Sequence, residues 1–276
     1  DHGVGQSRTH FKDSQETFVQ DFNDEGYNTA VITPNVWITP HKNTTKDFDE
    51  VENFLGKADN RVSISASKFL TKVFDGLPQS VKKEAEKYLD RIFQFFSVDD
   101  SCKSEETVEE TEKYISQVED DENFFLYVNL MEPHEPYHPP SEYKEKHGVE
   151  DESNIPKRQK DLFTDEIDYD ELRKIYDASA EYTDNLVNRI INSLEENGLR
   201  EDTVVVVLSD HGQALGEDDI FGHQFTVDES VTNTVLMVDH PEKESGYEED
   251  IIELRKLHDL IPYYAGINEK PGEIFT

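Results

Sequence analysis

Cysteine is almost missing from this chain. Cys102 is the only one in 276 residues, so no intrachain disulfide can form and the redox compartment is left open. Basic residues are scarce too, with 27 Lys and Arg against 62 Asp and Glu, a formal net charge of −35. That imbalance opposes nucleic acid and anionic lipid by plain repulsion, so no nucleic-acid partner is expected. Apolar residues make up only 34%, and no run of them approaches the length of a membrane span. No signal peptide is visible, so the cytoplasm is the default expectation in an otherwise open compartment. The chain starts at Asp1 without a Met, and a preceding segment is expected to have been cut away.

A composition this acidic also suits a disordered chain. The 11% of aromatic residues and clear apolar periodicities argue instead for a packed core. The acids are spread along the whole chain rather than gathered in a tail. Such a spread fits a surface adapted to high salt, where mutual repulsion is screened.

At this length, one large α/β domain over residues 1–276 is expected. Asp13 to Glu16 (DSQE) has the spacing of a capping box, followed by the apolar face of Phe18, Val19 and Phe22. Gly26 offers a stop, and Thr29 to Thr33 (TAVIT) reads as a short buried strand. Residues 57–120 are charged and helical in flavour, clearest in SVKKEAEKYLDRIFQFF, and read as a peripheral insertion. Phe124 to Leu130 (FFLYVNL) is a second strand, running into MEPHEPYHPP, whose four prolines forbid regular structure. Ile175, Ala178, Tyr182, Leu186, Ile190 and Leu194 share one face of a long helix near Tyr169 to Glu196, ended by Gly198. Thr203 to Leu208 (TVVVVL) and Thr234 to Val238 (TVLMV) are the third and fourth strands.

Strands of continuous Val and Leu between helices predict a mostly parallel sheet covered by helices on both faces. Ligands then sit beyond the carboxyl ends of the strands. Asp210 and His211 are among the first residues past the valine strand, and His134 stands just past FFLYVNL. A carboxylate and an imidazole adjacent on a turn can both reach one divalent ion. The same residues also fit a bland turn, with Asp210 capping a helix and Gly212 at positive φ. His134 equally fits a structural place in its proline-rich loop, and His223, in Gly222-His223-Gln224, a surface loop.

Taken together, SDHG, then LGE, then GHQ, then an apolar strand ending before Pro241 resemble the C-terminal half of sulfatases, within the alkaline-phosphatase superfamily. NLMEPHEPYHPP resembles the segment of those enzymes with a substrate-contacting His, and residues 1–33 the part just after their nucleophile segment. The resemblance implies an alkaline-phosphatase-like α/β fold, incomplete at both ends. It implies that Asp210 and His211 bind one divalent ion (Ca, Mg, Mn or Zn). It also implies catalytic and ester-contacting roles for His134 and His223. In such enzymes a formylglycine, Ser or Thr attacks sulfur or phosphorus while side chains stabilise ester oxygens and protonate the leaving group.

The departures are specific. The family's first strand with paired Asp ligands, and its nucleophile, are expected ahead of Asp1, so the chain by itself is expected to be inactive. Cys102 lies in SVDDSCKSEE and matches no Cys-x-Pro-x-Arg signature, so Cys102→Ser should leave activity intact. Where arylsulfatases carry Gly-Lys-x-His, this chain reads TPNVWITP, placing Asn35 with Val36 and Trp37 at the substrate-binding position. No Lys follows His223 until Lys243. Three functions remain: a hydrolase of small-molecule or glycan sulfate esters; a phosphodiesterase, phosphonate hydrolase or phosphoglycerol transferase acting on phosphate esters; and a non-catalytic fragment. A formylglycine motif upstream selects the first, a lone Thr or Ser the second, and a native start at Asp1 the third.

Overall fold

The computed structural model describes residues 11, 15–35, 37–54, 103–119, 121–156, 167–224, 226–247, 251–269 and 271. Cys102 and most of the 57–120 insertion lie outside them. The chain divides into two compact units, one from residues 1–111 and 119–131, the other from 112–118 and 132–276.

The first unit is built on β1 (Asn28–Thr33), which pairs in parallel with β2 (Glu50–Asn53) on one side and β3 (Phe124–Val128) on the other. The central strand is buried from Thr29 onward, and its two threonines have internal partners. The Asp49 carboxylate accepts from the Thr29 amide and hydroxyl at 3.1 and 3.0 Å, and Thr33 Oγ1 donates to Asn129 Oδ1 at 3.1 Å. Helix α1 (Val19–Asp24) packs by its aromatics: Phe22 stacks on Phe125 at 4.4 Å between centroids, with Phe18 edge-on to Phe125 at 5.6 Å. Gly26 ends the turn at φ 78°, as expected of a C′ glycine.

The DSQE capping box does not open this helix. Asp13 and Ser14 lie outside the described residues, Glu16 precedes the helix, and Phe18 at the N-cap makes no side-chain cap bond. Thr17 instead donates to Asp47 Oδ2 at 2.7 Å, a tertiary bond that holds the chain in a loop up to Phe18. Helix α2 (Ser104–Ile115) is the described part of the insertion, and Val108 and Ile115 are buried.

In the second unit, α3 (Ser141–His147) precedes the long helix α4 (Tyr169–Glu196). Asp168 caps α4, its side chain accepting from the amides of Asp170 and Glu171. Leu172, Ile175, Ala178, Tyr182, Leu186 and Leu194 are buried along one face, and Gly198 at φ 73° closes the end. Leu172 and Ile175 form a core with Tyr137, Ile155 and Phe221.

The valine strand β4 (Val205–Leu208) corrects one expectation. It runs antiparallel to β7 (Leu236–Asp239), with Val207 opposite Met237, in a two-stranded sheet. Its valines are half-buried and Leu208 is exposed, so this run is not covered on both faces among the described residues. Continuous valine reports fit to a pleated ribbon before it reports burial. Between these strands lie the hairpin of β5 (Ala214–Leu215) and β6 (Phe221–Gly222) and the short helix α5 (Glu229–Thr232). The hairpin rests on α4, where Tyr169 OH donates to the Asp219 carbonyl at 3.1 Å. Helix α6 (Leu257–Tyr264) follows. No described helix is long and apolar enough to cross a membrane.

Candidate functional site

Three short segments of the second unit build the site. The proline-rich segment is pinned by Tyr137, a residue 4% exposed whose ring is edge-on to Tyr176 at 5.7 Å between centroids. That anchor fixes His134 and Glu135 just before it. The turn after β4 carries Asp210, His211, Gly212 and Gln213. Gly212 donates its amide to the Val231 carbonyl at 2.7 Å, and a Cβ at Gly212 would overlap the Ser230 carbonyl oxygen. Gly212 is therefore required by close backbone approach, not by positive φ, and Asp210 caps no helix. The β5–β6 hairpin brings the third segment. Ala214 pairs with Gly222, so one step further out the register sets Gln213 across from His223.

The three histidines meet. The His211 and His223 rings stack at 4.1 Å between centroids and 26° between planes, and His134 stands edge-on to His223 at 5.5 Å. His134 Nδ1 lies 2.5 Å from the Glu135 carbonyl and His211 Nδ1 2.8 Å from the Gly212 carbonyl. A carbonyl only accepts, so both rings carry the proton on Nδ1 and turn Nε2 into the acceptor nitrogen. His223 Nδ1 is 2.9 Å from Gln213 Oε1. Gln213 Nε2 in turn donates to Glu135 Oε2 at 3.1 Å and to Tyr137 OH at 3.0 Å.

Burial first, and then the neighbouring His211, hold the pKa of His223 below its ordinary value, while Glu135 pulls the other way. The neutral imidazole is thus favoured. Burial, reinforced by the Glu135 charge, pushes the Tyr137 phenol far above its usual range, so it stays protonated.

The donor chemistry fits a divalent cation. Asp210 Oδ1 and His211 Nε2 lie 3.8 Å apart, within the roughly 4 Å that two ligands at about 2.1 Å each can span across one ion. His134, Glu135 and His223 offer a second group of donors, all within 4.8 Å of one another. Of the residues singled out by sequence, His134, Asp210, His211 and His223 belong to this unit. Asn35 belongs to the first, where its Oδ1 accepts from the Trp37 amide at 2.9 Å and its own amide donates to Thr33 Oγ1 at 2.9 Å. Sequence reasoning missed Glu135, Tyr137 and Gln213. The signal for the first two lay inside the quoted MEPHEPYHPP, and for the third directly beside His211.

The sulfatase family profile matches residues 1–265. The ulvan-active sulfatase of Formosa agariphila is 30% identical over 131 residues, 45% of this chain and 24% of that protein. In three dimensions the chain resembles the phosphonate monoester hydrolase of Silicibacter pomeroyi at 16% identity and TM-score 0.63, covering 96% of this chain and 60% of that one. It also resembles a solved protein in complex with its substrate D-glucosamine-2-N,6-O-disulfate at 14% identity and TM-score 0.62, covering 99% and 65%. Those likenesses establish an alkaline-phosphatase-like α/β fold. The chain spans about a quarter of the curated relative and under two thirds of each solved chain.

Proposed function

The chain belongs to the sulfatase family, and from that premise we propose that it carries part of the active site of a metal-dependent hydrolase of sulfate esters. The convergence of His134, His211 and His223 beside Asp210 is the observation that carries this reading. Asp210 and His211 would hold one divalent ion (Ca, Mg, Mn or Zn), which would offset negative charge on the ester oxygens and lower the pKa of an attacking hydroxyl. The nucleophile, a formylglycine, Ser or Thr by family resemblance, is in this reading contributed by sequence outside residues 1–276.

His134 and His223 face the ester. Each, when Nε2 is free of a proton, can take a hydrogen bond or a proton at that atom, and return a proton to the departing alcohol oxygen. The glucosamine disulfate bound by a structural neighbour supports a sulfated sugar as the substrate class. The evenly spread acidic charge supports a surface suited to high salt.

A second reading, phosphate or phosphonate ester hydrolysis, is favoured by the Asp210–His211 pair and by Asn35, Val36 and Trp37 where arylsulfatases carry Lys and His. Assay of the intact protein on 4-nitrophenyl sulfate, glucosamine 6-sulfate, bis-4-nitrophenyl phosphate and a phenylphosphonate monoester decides between them. Sulfate turnover that falls on chelation and returns with metal supports the first reading. Preference for the phosphorus esters selects the second, and no turnover of any overturns both.

A further inference from the structure

We propose that Gln213 is a positioning residue that sets the orientation and tautomer of His223, and that Glu135 holds Gln213 in the one amide orientation able to do so. The kinetic consequence rests on the hydrolase reading of His223; the structural content does not.

The logic is a chain of donors and acceptors. The Glu135 carboxylate is 7% exposed and, ionised, only accepts. At 3.1 Å from its Oε2, the Gln213 side chain must therefore present its NH2 group. The second hydrogen of that group goes to Tyr137 OH at 3.0 Å, so both amide donors are used on one side. Gln213 Oε1 is then turned toward His223 Nδ1 at 2.9 Å, and an amide oxygen only accepts. His223 is obliged to carry its proton on Nδ1 and keep Nε2 as the acceptor. A flipped amide would set NH2 against the His223 ring nitrogen and Oε1 against the Glu135 carboxylate, losing one bond and gaining a repulsion.

His223 needs this help more than its neighbours. His134 and His211 receive their tautomers from the backbone carbonyls of Glu135 and Gly212. His223 packs against both of those rings, and a half-turn about its Cβ–Cγ bond would exchange its polar and carbon edges with little change of shape. The hairpin register delivers a side-chain amide where the other two rings have a main-chain oxygen.

The test uses the intact protein, with 15N NMR of the histidine rings at neutral pH without added metal, alongside steady-state kinetics. Wild type should show His223 as the Nδ1–H tautomer. Gln213→Met keeps the volume and removes the hydrogen bonds; it should give a mixture of tautomers and lower kcat on the order of 10–100-fold with little change in KM. Gln213→Glu should also fail, since its carboxylate meets Glu135. The exchange pair Gln213→Glu with Glu135→Gln rebuilds the chain in reverse, because the new amide donates to a carboxylate that accepts from His223; most of the lost kcat should return. Should Gln213→Met not fold, Glu135→Met, which removes the acceptor that holds the Gln213 amide, gives the same tautomer readout. A wild-type Nε2–H tautomer, an unchanged tautomer and kcat in Gln213→Met, or no rescue by the exchange pair would each overturn the inference. Absence of turnover in wild type defeats the hydrolase reading instead, and the tautomer measurement still decides the role of Gln213.

Discussion

His211 lies flat against His223, with 4.1 Å between ring centroids. One ring sits on the turn after the valine strand and the other, twelve residues on, at the end of a hairpin in contact with Gln213. The stack joins the candidate metal ligand to a candidate catalytic imidazole, so packing and ligation can be separated by substitution.

His211→Phe keeps a flat ring in the stack and deletes the ligand nitrogen. It should retain the thermal unfolding midpoint of the metal-free protein while losing bound metal and turnover. His211→Ala should lose these and also unfold at lower temperature. Calorimetry beside metal analysis separates the two, and a Phe variant that still binds metal stoichiometrically would remove His211 from the ligand set.

Asp210 is nearly fully exposed, with 88% of its side chain accessible, and it accepts from the His211 amide at 3.0 Å. Its removal should therefore cost little folding stability. Asp210→Ala should abolish activity and lower metal content while unfolding in high salt much as wild type does. Unchanged metal content in this variant would mean the ligand assignment is wrong.

Gly212 approaches the carbonyl of Ser230 too closely for a side chain. Gly212→Ala should push α5 away from the turn and destabilise by about 1–3 kcal/mol, the usual cost of an overpacked contact. Chemical denaturation measures it, and the same variant should weaken metal binding because His211 moves with the turn.

Glu171 supplies the pH test. Its carboxylate accepts from Lys174 Nζ at 2.5 Å and from the amides of Glu150 and Asp151 at 2.8 and 3.2 Å, which lower its pKa from 4.5 to about 2. A carboxyl depressed in the folded state contributes stability that is fully present above pH 4.5 and is lost as pH falls toward about 2. The gap in unfolding midpoint between wild type and Glu171→Gln should be widest near neutrality and close through that window. A gap independent of pH would show that the carboxylate's bonds are immaterial.

Much of this was legible in the sequence because long elements carry strong periodic signals. The helix Tyr169–Glu196 has its expected ends, and the strand-end rule pointed to His134, Asp210 and His211. The partners of the histidines were not legible. Gln213 meets His223 through the register of two-residue strands, too short for any apolar alternation to reveal. Glu135 has a side chain only 7% exposed in a chain where 62 acids advertise a solvated surface, so its type argued against its role. The valine strand misled for the opposite reason, because its composition suggested two-sided cover while its antiparallel ribbon is half open.

Each of two imidazoles in the site hands its ring proton to the carbonyl of the very next residue, His134 to Glu135 and His211 to Gly212. Their chemical polarity is thus written into the main chain. Surrounding side chains can be exchanged in the course of evolution without altering which nitrogen of these rings faces outward. His223 alone takes its polarity from another side chain, which makes residue 213 the point at which the site's chemistry is open to change by a single codon.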